Sequence, residues 1–144
     1  MANKNYTAKI EITKSPGKVF NDLKEVSKWW SKDFEGSGAK LHDEFIIHHP
    51  GRHYSRQRLI EVVPGKKMVW LVTESNLNWI EKNKEEWTST KMIFEITHDV
   101  DTTFLWFTHE GLDPEKECYE KCSLGWNMVI KDWLFNFINY GKTI

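Results

Sequence analysis

The sequence predicts an α+β fold in which one curved antiparallel sheet of about six strands wraps around a long C-terminal α-helix. Three stretches carry that expectation. From Asp113 to Gly141 the apolar residues recur in helical steps. From Phe45 to His109 they alternate with polar residues in strand steps, interrupted by turn residues. Ahead of both, an alternating run from Tyr6 to Ile12 leads into two short helical runs.

In the C-terminal stretch Cys118, Cys122, Trp126, Val129, Trp133, Phe137 and Tyr140 are spaced by three or four, and Ile130, Leu134 and Ile138 widen the stripe. Asp113 is placed to cap the helix, Pro114 suits its first turn, and Glu115 and Glu117 favour its positive end. Gly141 can close it in a left-handed turn. At about 1.5 Å per residue such a helix spans roughly 40 Å, so its aromatic stripe needs a long apolar surface opposite. A curved sheet supplies one.

The remaining elements follow in order. Tyr6, Ala8, Ile10 and Ile12 alternate with polar residues, the pattern of a strand with one buried face. Ser15-Pro16 is a cap and first-turn pair, with Val19, Phe20 and Leu23 at helical spacing behind it. Val26, Trp29 and Trp30 extend the stripe as a second short helix before Gly36 and Gly38 open a loop. Strands are then expected at Phe45 and Ile47, from Arg52 to Val63, at Met68, Trp70 and Val72, at Met92, Phe94 and Ile96, and at Leu105, Phe107 and His109. Pro50-Gly51 and Pro64-Gly65 mark turns, which makes these strands consecutive antiparallel neighbours. Asn76 to Ser89 is too long for a tight hairpin and reads as an extended tip or flap that can move.

With 144 residues and no composition break, residues 1–144 read as a single domain. Charged residues make up 28% and the formal net charge is −1, which gives no general attraction to nucleic acid or anionic lipid. No run approaches the roughly 18 apolar residues of a membrane span, and the first residues are polar, so a cytoplasmic location is expected. Cys118 and Cys122 read as two reduced, mostly buried thiols. Aromatic residues reach 14%, with eight Trp, enough large flat side chains to wall a cavity as well as to fill a core.

Periodicity turns Trp70, Val72, Phe94, Leu105 and Phe107 inward from the sheet and Trp126, Val129 and Trp133 inward from the helix. They either line a ligand pocket or fill a solid core. His109 shares parity with Leu105 and Phe107 and can orient a polar ligand group or act as a base; Glu74, in step with Trp70 and Val72, is the second inward titratable candidate. His48, His49 and His53 surround a hairpin turn without a carboxylate to complete a metal set, and read as solvated. Arg52, Tyr54, Arg56 and Arg58 form the wet face of their strand or a docking row for an acidic partner. No metal, cofactor or nucleophile motif is expected.

Several pieces resemble a known family. They are Ser15-Pro16 with Val19-Phe20, the Trp29-Trp30 pair, Glu61-Val62-Val63-Pro64 before Met68-Val69-Trp70, Thr108-His109-Glu110-Gly111, and Gly125-Trp126. In this order they resemble the helix-grip fold of the START-like superfamily, and within it proteins similar to the activator of heat-shock protein 90 ATPase. The resemblance implies a cavity between sheet and helix, which in various relatives holds hydrophobic small molecules or lipids. It implies three functional expectations: binding of a small, largely apolar ligand, an interaction module like the co-chaperone's C-terminal domain, or a cyclase-like or hydrolase-like enzyme. The resemblance to the activator covers only that C-terminal domain, which argues against a chaperone partner.

Overall fold

The computed structural model describes residues 4–49 and 51–144. Pro50, half of the expected Pro50-Gly51 turn, lies outside them; Gly51 follows in the left-handed region at φ 77°. Strand β1 (Tyr6–Ile12) leads into helices α1 (Pro16–Leu23) and α2 (Val26–Trp29), then into strands β2 (Phe34–Gly36), β3 (Glu44–His49), β4 (His53–Val63), β5 (Lys67–Asn76), β6 (Lys91–Asp99) and β7 (Thr102–Glu110). All pair antiparallel in one sheet of seven strands ordered β1-β7-β6-β5-β4-β3-β2. The strand beyond the expected six is β2, whose three residues are too few to show a period. Ser15 caps α1 as expected, its hydroxyl accepting from Lys18 N at 3.2 Å.

Alternation is faithful in β1, where Tyr6, Ala8, Ile10 and Ile12 are buried and the residues between them exposed. The inner face of the sheet then packs against Trp126, Ile130, Leu134 and Ile138 of the C-terminal helix. That helix begins later than its sequence suggests. It runs as α3 (Tyr119–Trp126), a π-helical segment (Asn127–Leu134) and α4 (Phe135–Tyr140). Asp113 caps only a turn, accepting from Glu115 N at 2.9 Å, and residues 113–118 form turns rather than helix. The true N-terminus is capped from a distance: the Glu86 carboxylate accepts from Glu117 N at 2.9 Å and Cys118 N at 3.0 Å. Gly141 ends the helix in the left-handed conformation at φ 70°, as expected.

The π-helical middle has a reason in the side-chain spacing. Trp126, Ile130, Leu134 and Ile138 are buried at unbroken steps of four, and in an α-helix each such step drifts about 40° round the axis. The wider π turn cancels that drift and keeps the four on one line. The same winding moves Trp133 to partial burial and leaves Tyr140, expected on the buried stripe, 67% exposed.

The expected flap is fastened. Leu77, Ile80 and Trp87 anchor it to the core, while the Glu117 carboxylate accepts from Glu81 N and Lys82 N, both at 3.0 Å. Glu86 reaches from the flap to the turn that starts the helix, and Glu117 from that turn back to the flap, a reciprocal clasp. Both cysteines are free and buried. Among the described residues no helix is long and apolar enough to cross a membrane.

Candidate functional site

Of the residues expected to line a pocket, the sheet's members form a solid bed instead. Trp70, Val72, Phe94, Leu105 and Phe107 are fully buried. Their rings interlock, with centroids 4.7 Å apart for Trp70–Phe94, 4.9 Å for Phe94–Phe107 and 4.6 Å for Phe107–Trp126. A cleft of about 250 Å³ opens one layer further out, between the flap, the β3–β4 hairpin and the helix. Trp126, Val129 and Trp133 do line it, joined by Trp30, His53 and Trp87. Gly125 also borders it, and a Cβ added there would meet nothing within 4 Å, so the missing side chain leaves the cleft open.

Trp126 is the shared wall between cleft and core. It stacks on Trp87 at 5.6 Å with planes 8° apart and tilts against Trp30 at 5.1 Å. Trp30 in turn stacks flat on Trp70, with centroids 5.9 Å apart. The indoles therefore connect the cleft to the bed behind it. Sequence reasoning placed Trp30 on a short helix and Trp87 in a charged loop, and only the tertiary fold brings them together; the one signal was bulky indoles in segments otherwise polar.

His109 lies behind this wall, fully buried. Trp126 Nε1–H donates to its Nδ1 at 3.0 Å. Its Nε2 therefore carries the ring proton and donates to Thr90 Oγ1 at 2.8 Å, and that hydroxyl donates to the Trp87 carbonyl at 2.5 Å. Burial pushes the pKa of His109 down to about 3, and the neighbouring His53 adds to the shift. Gly111 permits the approach: a side chain there would place Cβ 2.7 Å from Thr90 Cγ2, at a φ of 102°. With both nitrogens engaged and the ring sealed from the cleft, His109 is a neutral strut that positions Trp126 and Trp87, without a free lone pair for base chemistry.

Glu74 does not face inward. β4 and β5 pair Arg56 with Glu74 and then Gln57 with Val72, so Thr73 is an extra residue and β5 bulges there. One inserted residue exchanges the faces of all that follow. Ser75 turns into the core and Glu74 to the outer surface, 58% exposed, where Arg56 Nε donates to it at 2.8 Å and Tyr54 OH at 3.2 Å. The row of Tyr54, Arg56 and Arg58 thus lies on the outer face with Arg56 already paired, to Glu74 and, at 3.6 Å, to Glu44. Arg52 leaves the row and borders the cleft.

His53, expected in solvent, sits at the cleft edge with its ring 4.8 Å from Trp87 and its Nε2 2.7 Å from Ser55 Oγ. Burial pushes its pKa down to about 3, so at neutral pH it contributes no charge. Among the described residues no three His, Cys, Asp or Glu side chains converge to hold a metal ion.

No protein-family model matches the chain, and no curated protein sequence matches it. Solved structures do. The Aha1 dimer of Colwellia psychrerythraea, determined in solution, is 22% identical with a TM-score of 0.75, over 96% of this chain and 98% of that one. Protein MLL2253 of Mesorhizobium loti is 18% identical with a TM-score of 0.68, over 89% and 93% of the two chains. CalU16 of Micromonospora echinospora is 12% identical with a TM-score of 0.64, over 94% and 76%. At such identities the likeness establishes architecture, and the architecture is an α+β helix grip. Within that class the chain has the Aha1-like fold.

Proposed function

We propose that this protein binds a small, largely apolar molecule of one or two rings in the cleft between flap and C-terminal helix. The supporting observation is the cleft itself: about 250 Å³, walled by five indoles, and bordered by Gly125, where an added Cβ would meet nothing within 4 Å. A cavity of about 150 Å³ holds benzene, so this volume suits one ring or two and is small for a sterol. The indole walls are held by stacking and by the His109 strut, which makes the site preformed and lowers the ordering cost of binding. No catalytic role is assigned, since His109 is sealed and Glu74 faces away.

Gly125→Leu tests this without touching any indole. Gly125 borders the cleft and an added Cβ there meets nothing within 4 Å, so the isobutyl group is expected to occupy cleft space. The parent should show saturable calorimetric binding and tryptophan quenching with at least one two-ring probe, and Gly125→Leu should lose both while unfolding no earlier than the parent. An interaction module with no ligand would show no binding in either protein. Equal binding in both would move the site elsewhere.

A further inference from the structure

We infer that the ligand is an organic acid, its ring system in the cleft and its carboxylate held at the rim by Arg52 and Lys121. The inference rests on the cleft reading above and adds the ligand's charge. Arg52 comes from the β3–β4 hairpin and Lys121 from the first turn of α3, so the two cations enter from separate elements, and both are exposed where they border the cleft. No Asp or Glu borders it. The neighbouring histidines do not add charge at neutral pH, because burial lowers the pKa of both His49 and His53.

Among the described residues four other cations are ion-paired: Arg56 with Glu74 and Glu44, Lys18 with Asp22, Lys28 with Glu25 and Lys67 with Glu61. Among the described residues neither Arg52 nor Lys121 enters an ion pair. The Lys121 ammonium lies 5.3 Å over the Trp79 ring, which holds it beside the cleft without neutralising it. Two acidic residues of the flap and helix start, Glu86 and Glu117, are turned onto backbone N–H groups in the clasp. A chain of net charge −1 thus gathers two unpaired cations at the mouth of its indole-walled cleft. An anion on an apolar ring is the complement of that arrangement. A carboxylate also accepts the two-pronged hydrogen bonding that a guanidinium offers.

The test uses three naphthalenes matched in shape: 2-naphthoate, 2-naphthylmethanol and 2-naphthylmethylammonium. Their dissociation constants are measured by calorimetry at low and high salt, for the parent and for a double variant, Arg52→Gln with Lys121→Gln. In the parent, naphthoate should bind about tenfold more tightly than the alcohol, with the ammonium compound weakest, and high salt should shrink the gap. In the double variant the ratio of naphthoate to alcohol affinity should fall to near one. Naphthoate binding no more tightly than the alcohol overturns the charge assignment while the apolar cleft stands. So does a preference that survives in the double variant. Binding of none of the three removes both readings.

Discussion

The His109 strut makes acid stability the most direct test of the structure. In the folded protein its pKa is pushed down to about 3 from an ordinary 6.5. The unfolded chain therefore takes up a proton that the folded chain refuses, and stability falls as pH drops from 6.5 toward 3; above 6.5 it is fully present. Integrating that difference from about pH 7 to about pH 5 gives a loss of about 2 kcal/mol from this one residue. His53, whose pKa burial also pushes down to about 3, adds a loss of the same sign and similar size in parent and variant alike. The carboxyls of Asp43 and Glu117, held below their usual range by hydrogen bonds, titrate below this window and do not confuse it. The assay is urea unfolding followed by tryptophan fluorescence at the two pH values, for the parent and for His109→Gln. Glutamine can accept from Trp126 and donate to Thr90 without titrating, so its stability should change with pH by about 2 kcal/mol less than the parent's, whatever its absolute stability. An equal loss in both proteins would refute the neutral, sealed His109.

Two further outcomes follow from local geometry. Glu86→Ala removes the acceptor for two backbone N–H groups at the start of α3 and should destabilise by about 1–2 kcal/mol, with faster hydrogen exchange in residues 77–90; unchanged exchange there would break the link between cap and flap. Gly125→Ala adds a Cβ into open space on a helix and should stabilise by about 1 kcal/mol in thermal or urea unfolding, whereas a loss would mean the position needs glycine for its backbone.

What the sequence made legible is what depends on near neighbours. The alternation of β1, the Ser15-Pro16 cap and the Gly141 stop need only a few adjacent residues, and each stands where its pattern puts it. Long-range events left no such mark. Thr73 is β-branched and suits an ordinary strand, so nothing announces the bulge that turns Glu74 outward. Asp113-Pro114 has the chemistry of a helix start, yet the cap in use comes from Glu86, more than thirty residues upstream, and the helix waits until it is reached. The ligand candidates divide in the same way. Periodicity identified the inward hydrophobic side chains of the sheet, failed at Glu74 beyond the bulge and at Tyr140, and could not tell which sit one layer deeper, because depth is set by how Trp30 and Trp87 cover the bed.

That covering also explains why the cleft persists in a core otherwise so tightly filled. Trp87 stacks on Trp126 at 5.6 Å, and the residue before Trp87 is Glu86, which holds the start of the same helix. The flap is thus joined to the helix at two levels, by a carboxylate at the first turn and by an indole two turns later, and its spacing from Gly125 and Val129 is set by both. Collapse of the cleft would have to slide the Trp87–Trp126 stack, stretch the Glu86 cap and disturb the Thr90–His109–Trp126 chain together. Each of these is a buried or charge-assisted interaction that is costly to leave unmade. The volume is therefore stabilised by the polar network behind and above it rather than by any side chain inside it. An apolar ring can therefore enter without rearranging the core.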